Sequence, residues 1–363
     1  MTGGPAPRDR WADACLAARL MAVDPALGIA LRGPPGPARD GWLAGLRGHL
    51  APGTPWRRLP AGTPEARLLG GLDLAATLGS GRLVASRGLL AEADGGVLLV
   101  AAAERLDPAA ASHLGAALDT GLVRVERDGI AAQAEARLGP VLLDDGRGPD
   151  EGAPAGLLDR VAMRLDLSEV GHRDCGPMPP EPEAVAAARA RLVRVAAGAE
   201  VAEAFCAAAE ALGVAGLRAP LLAMRVARAS AALDGRTDVG PADVSAASRL
   251  VLGPRATRAP VAPAPEETAA EPDAPPDAAG DATGDAADGG GDAERPAGAL
   301  DDLAVAAAAA ALPADVLAAL LAGRLSPARA GASGARRGAA AAGSRGRPAG
   351  SRRASPAAAR GST

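Results

Sequence analysis

The sequence predicts an α/β domain built on a parallel sheet, followed by an all-α bundle and a long polar tail. Three observations carry this expectation. Short apolar runs at residues 27–31, 97–100, 140–143 and 161–167 alternate with helical patterns between Trp11 and Asp166. Runs of that length, bounded by Gly, Pro or charge, are the pattern of buried parallel strands joined by helices. Beyond Pro177, Pro179, Pro180 and Pro182 the strand signal stops, and Ala, Leu, Val and Arg recur at helical spacing as far as Leu252. From residue 259 to 293 the chain is dominated by acidic residues, Pro, Ala and Gly and has no Arg. Such a composition cannot bury enough apolar surface to offset the entropy of ordering.

The 363 residues leave room for two domains and spare chain. Lys, Asn and Tyr are absent and Phe occurs once. This bias against A/T-rich codons is mutation pressure rather than function, and it warns that Arg stands where a relative carries Lys. The net charge of -4 hides an uneven distribution. After Gly323 the tail holds Arg324, Arg329, Arg336, Arg337, Arg345, Arg347, Arg352, Arg353 and Arg360 with no acid. Attraction between the acidic linker and this tail, and two separately solvated blocks, are equally open readings. Cys15, Cys175 and Cys206 form no CxxC pair, so neither a disulfide framework nor a metal site is expected. Arg8, Asp9 and Arg10 precede an N-terminal apolar stretch that Asp13 and Arg19 interrupt, which makes a poor signal peptide. No uncharged apolar run is long enough to span a bilayer. A soluble or peripheral protein of a reducing cytoplasm is expected. His49, His113 and His172 are isolated, and none is assigned a role.

The elements follow in order. Gly33-Pro34-Pro35-Gly36-Pro37-Ala38-Arg39-Asp40 leaves the first apolar run and opens a helical pattern of Trp42, Leu43, Leu46 and Leu50. Residues 121–130 alternate with period two and predict a β-hairpin. In the bundle, turns are expected at residues 213–216, 234–235 and 240–241. Residues 237–243 supply a cap and a first-turn Pro for the last helix.

Strand, Gly-rich turn and helix are the context of a phosphate-binding loop, whose working form is GxxGxGK[ST]. Here Ala38 replaces the last Gly, Arg39 the Lys and Asp40 the Ser/Thr. A Cβ at position 38 hinders close backbone approach to phosphate. A guanidinium is not a compact point charge. Asp40 sets a carboxylate where a hydroxyl should meet Mg²⁺. Taken alone, the octad is better explained by a simple Pro/Gly turn into a helix than by a phosphate-binding loop.

Further on, Arg67-Leu-Leu-Gly-Gly-Leu-Asp73 and Gly88-Leu-Leu-Ala-Glu92-Ala-Asp94 precede the run at 97–100. These segments resemble the "GxLD" and "GLLAxA" insertion of the chelatase branch of AAA+ proteins, over residues 27–252. The resemblance implies a P-loop-type αβα core at 1–168, a Pro-rich connector at 169–185 and a helical lid at 186–254. It also implies an acidic linker at 255–299, a short helical segment at 300–325 and an Arg-rich tail at 326–363.

Within that branch the run at 97–100 should end in Asp-Glu, which anchor Mg²⁺ and polarise water. Ala101 and Ala102 stand there, and Glu104 comes too late and is expected to face elsewhere. Leu157-Leu-Asp159-Arg160 resembles the segment that carries the family's arginine finger, which would make Arg160 a trans-acting group. A surface arginine paired with Asp159 is the alternative. Arg218 resembles the sensor-2 arginine, which would lean from the lid onto a phosphate, and local contacts at a helix start are its alternative. Gly148 falls where sensor 1 needs a polar side chain. These losses resemble the degenerate D-type subunits of magnesium chelatase rather than the ATP-hydrolysing I type.

The resemblance thus implies a non-hydrolysing scaffold in a ring with I subunits. ATP and Mg²⁺ would act mainly in the partner, with weak or absent nucleotide binding here. A separate large H subunit would hold the porphyrin for Mg²⁺ insertion in (bacterio)chlorophyll synthesis, at or near photosynthetic membranes. The family's C-terminal adhesion-type domain with its DxSxS motif has no counterpart up to residue 363. Two rivals are an active MoxR-type ATPase chaperone, opposed by Ala101 and Ala102, and a nucleic-acid binder using the tail, opposed by its lack of stacking aromatics.

Overall fold

The computed structural model describes residues 6–258 apart from Asp128 and Pro149. The expectations for the acidic linker beyond residue 258, the segment at 300–325 and the Arg-rich tail lie outside the described residues. The elements are α1 (Pro7–Val23), β1 (Ile29–Arg32), α2 (Pro37–His49), β2 (Trp56–Leu59), α3 (Glu65–Leu69), β3 (Gly70–Leu72), α4 (Leu74–Ser80), β4 (Ala85–Arg87), α5 (Leu89–Glu92) and β5 (Val97–Val100). They continue with α6 (Pro108–Thr120), β6 (Leu122–Arg127), β7 (Ile130–Glu135), β8 (Gly139–Asp144), α7 (Ala155–Arg160), β9 (Met163–Asp166), α8 (Pro182–Leu192), α9 (Ala199–Ala211), α10 (Arg218–Leu233) and α11 (Pro241–Ala247).

Five strands form one parallel sheet in the order β2-β5-β8-β1-β9. The first strand in the chain is therefore internal, between β8 and β9. The loops leaving β1 and β8 meet at the carboxyl edge of the sheet, the crevice position in open α/β folds. Side chains alternate along each strand. Ile29, Leu31, Val97, Leu99, Val141 and Leu143 pack with α1, α2 and the C-terminal helices. Ala30, Leu59, Leu98, Val100 and Leu142 pack with α3, α5, α6 and α7 on the other face. A sheet covered on both faces explains why its inner strands read as unbroken apolar runs.

Several strand limits differ from the sequence reading, β8 spanning Gly139–Asp144 rather than 140–143 and β9 Met163–Asp166 rather than 161–167. Residues Pro25–Leu27 form a 3₁₀ turn and Gly28 has φ +63°, so β1 starts at Ile29 rather than at 27. The hairpin β6–β7 exists and runs on to Glu135.

The insertion between β2 and β5 has a physical reason for its two glycines. Gly70 and Gly88 cross at the base of the β3–β4 hairpin. A Cβ on Gly88 would lie 2.1 Å from the Leu69 carbonyl carbon and 2.3 Å from Gly70 N. Asp73 caps α4 by accepting from Ala76 N at 2.9 Å, Glu92 receives Arg57 and Arg67, and Asp94 receives Arg137 N at 2.8 Å. Gly88→Ala is expected to open the hairpin base and to destabilise the chain by about 2 kcal/mol, as overpacking does. A urea-unfolding midpoint equal to that of the parent chain would contradict this close approach.

Helices α8 to α11 form a bundle around α10, with Phe205 fully buried. Its apolar residues belong to the same continuous core as α1 and the facing side of the sheet. Arginines pin the bundle to the N-terminal elements. Arg225 pairs with Asp24 at 2.7 Å, Arg249 with Asp13 at 2.9 Å, and Arg189 donates to Ala22 O at 2.5 Å.

Candidate functional site

The phosphate-loop position sits where β1 runs out of the sheet. Gly33 has φ +146°, a conformation that favours glycine, and its N–H donates to Asp144 O at 3.1 Å. Pro34, Pro35 and Gly36 carry the chain to Pro37 at the start of α2. Ala38 leans on the core, and Asp40 is exposed in the first turn.

Arg39 does not reach outward. Its Nη1 ion-pairs with the Asp145 carboxylate and donates to Gly33 O at 3.4 Å, and its side chain is only 12% exposed. Arg32, at the end of β1, draws in the rest of the loop after β8. It donates to the carbonyls of Gly146 at 3.0 Å, Gly148 at 2.8 Å and Glu151 at 3.2 Å. Gly148, the residue aligned with sensor 1, thus contributes a carbonyl.

Beside this loop, β5 ends in the methyl groups of Ala101 and Ala102. Ala102 adopts φ 49°, ψ 58°, a left-handed conformation that is uncommon outside glycine, Asn and Asp. Glu104 departs from expectation. Instead of facing elsewhere it turns back, accepting from Asp145 N at 3.1 Å, with Arg105 Nε 3.3 Å from its second oxygen. The short turn after Ala102 returns the chain to the β8 edge, which spacing from the strand alone did not reveal.

These residues do not fit ATP with Mg²⁺. A triphosphate needs a cation with free donors, a hydroxyl for the metal and carboxylates behind it. Here the Arg39 cation is neutralised by Asp145, Asp40 adds a negative charge in the first turn of α2, and the methyl groups of Ala101 and Ala102 end β5 in place of carboxylates.

The two remaining arginines assemble elsewhere. Arg160 ends α7, and its Nε lies 3.0 Å from both oxygens of Asp119 near the end of α6. Its Nη2 donates to the same carboxylate, and its Nη1 donates to Gly156 O at 2.7 Å. Arg218 opens α10 and meets Asp119 at 3.2 Å and Asp159 at 2.9 Å. So Asp159 serves Arg218, and Asp119 is the acid that holds Arg160. No hydrogen bond or ion pair among the described residues links either arginine to residues 33–40. Arg218 therefore leans on Asp119 and Asp159 in this structure, beside Arg160. Leu217 and Leu221 flank it with 74% and 60% of their surface exposed.

Behind α7 lies Arg255. It donates to Leu158 O at 3.2 Å, Val161 O at 2.5 Å, Ala162 O and Val251 O. Burial pulls its pKa down to about 9, which still leaves it cationic at neutral pH. Arg164 adds a bond to Leu158 O at 2.9 Å. The segment bearing Arg160 is thus held by two arginines from behind.

A family model described as an AAA lid domain matches residues 202–276. The magnesium-chelatase 60 kDa subunit of Cereibacter sphaeroides is 38% identical over 269 residues, 74% of this chain and 44% of the relative. The chain is a relative of the magnesium-chelatase 60 and 67 kDa subunits. The 67 kDa subunit of Chlorobaculum tepidum is 35% identical over 273 residues, 69% of this chain and 44% of that subunit. This chain spans less than half the length of the chelatase subunits it matches. A solved structure of a candidate ATPase from Cytophaga hutchinsonii aligns with TM-score 0.51 at 14% identity, covering 69% of this chain and 88% of that one. That likeness shows a shared fold alone, and the AAA description rests on the lid match over residues 202–276. No helix among the described residues is long and apolar enough to cross a membrane.

Proposed function

We propose that the chain is a non-hydrolysing AAA+ subunit of magnesium chelatase. It joins an ATP-hydrolysing I-type subunit in a ring that couples ATP turnover to insertion of Mg²⁺ into protoporphyrin IX, with the porphyrin held by a large H-type subunit. One observation carries the reading. The residues at its own phosphate-loop position are spent on one another through Arg39 and Asp145, while Arg160 and Arg218 gather on a separate, partly exposed face.

The chemistry follows from that division. ATP and Mg²⁺ act mainly in the partner, and nucleotide binds here weakly or not at all. A guanidinium reaching a neighbour's γ-phosphate stabilises charge on the transferring phosphoryl group. The exposed Leu217 and Leu221 beside Arg218 supply apolar surface that an adjoining subunit would cover. The rival reading as an active ATPase chaperone requires carboxylates that Ala101 and Ala102 do not provide.

Single-turnover assay of the isolated chain with labelled ATP tests the reading, and hydrolysis by it would overturn the proposal. Asp145→Asn frees Arg39 and is expected to tighten binding of an ATP analogue about tenfold, the effect of removing one nearby like charge. Hydrolysis should remain absent in that variant. Unchanged analogue binding would mean that the Arg39–Asp145 pair is not what closes the site.

A further inference from the structure

We propose that Asp119 is the positioning carboxylate of the arginine finger, clamping Arg160 and Arg218 into one unit that is presented to a neighbouring subunit's nucleotide. The proposal rests on the reading of Arg160 as a trans-acting group.

Its first support is geometric. The Nε/Nη2 edge of Arg160 lies on Asp119, Nη1 is bonded to Gly156 O, and the guanidinium rests over Gly115 one turn earlier on α6. Three N–H groups are engaged in this way. The rest of the planar fork has no acceptor among the described residues and is available to an incoming phosphate oxygen. The same carboxylate takes Nη1 of Arg218 at 3.2 Å, so one acid sets two cations that come from α7 in the core and α10 in the lid.

The second support is where Asp119 stands. It lies in the last turn of α6, which carries no basic residue there. A carboxylate at that end opposes the helix dipole and weakens the helix. Helix formation therefore gives no reason for an acid at this position, whereas the two arginines do. Their hydrogen bonds, that from Arg160 first, hold the Asp119 carboxyl below the ordinary carboxylate range. The clamp is thus present at neutral pH and is lost only as pH falls through that lowered value.

The chemical consequence is preorganisation. A free arginine must be ordered on a long flexible stem when the transition state forms, whereas a clamped one is already aimed.

The test uses the full chain assembled with an I-type ATPase, reading kcat and KM for ATP alongside complex size. Asp119→Asn keeps the shape and loses the charge. It is expected to lower kcat at least about tenfold with KM and assembly unchanged, as misplacement of a catalytic group does. Asp119→Glu should recover part of the loss. Combined with Arg160→Ala, the asparagine variant should add nothing, because the two act as one. Parent-level kcat in Asp119→Asn while Arg160→Ala is impaired would overturn this proposal alone, as would additive losses in the double variant or loss of assembly together with kcat. Parent-level kcat in Arg160→Ala itself would overturn the trans-acting reading, and this proposal with it.

Discussion

Replacing Arg160 by alanine is expected to lower ATP turnover of the complex with the I-type ATPase about 10³-fold, the contribution of an arginine finger to phosphoryl transfer. Metal insertion should fall with it. The expectation follows from what the side chain does in this chain alone. Its side chain pairs with Asp119, donates to Gly156 O and rests over Gly115, and it is partly exposed and belongs to neither apolar cluster. The chain should therefore fold and assemble without it. Gel filtration must show the complex intact, and steady-state kinetics must show the loss in kcat rather than in KM. A variant that assembles and turns over like the parent would remove Arg160 from the mechanism. Arg160→Lys is expected to recover little, because an ammonium cannot bridge Asp119 and a phosphate with one planar fork.

Arg255→Ala is expected to have the largest effect on stability, about 3 kcal/mol, because it takes the guanidinium's bonds away from the carbonyls of the buried residues Val161, Ala162 and Val251, while Leu158 O keeps Arg164. Leu158, Val161, Ala162 and Val251 would each lose a bond. Removing the cation also removes the cost of having buried it, which offsets part of the loss. Arg255→Lys keeps the charge with fewer donors and should fall between. The bundle and the facing side of the sheet share one continuous core, so the loss should appear as a lower urea midpoint in a single transition. A separate early transition would mean that the lid unfolds independently and that Arg255 does not tie it to α7.

Much of this fold was legible because it is local. The inner strands β5 and β8 are short apolar runs between breakers, as buried parallel strands must be. Strand β2 was not, because Trp56-Arg57-Arg58-Leu59 buries only Leu59 at the edge of the sheet. Strands β3 and β4 have three residues each and are rich in Gly, Ala and Ser, so no periodicity could mark them. The degenerate loop at residues 33–40 was visible because a motif is contiguous. Its partner was not, since Asp145 lies 106 positions from Arg39 and a pair of opposite charges carries no signal at that separation. The same holds for Asp119, which sits in an Ala-rich helix 41 positions from Arg160 and 99 from Arg218. Its only sequence signal is an acid at the wrong end of a helix. Glu104 was misjudged because a turn, not the strand, sets its direction.

The central claim is that this chain leaves nucleotide to its neighbour and lends that neighbour Arg160. The most direct measurement is to isolate the complex formed with an I-type ATPase in the presence of a non-hydrolysable ATP analogue and to count nucleotide per chain. The account predicts a stable complex whose nucleotide content matches the number of I-type chains. Failure to form a complex, or nucleotide in equal amount on both kinds of chain, would contradict it.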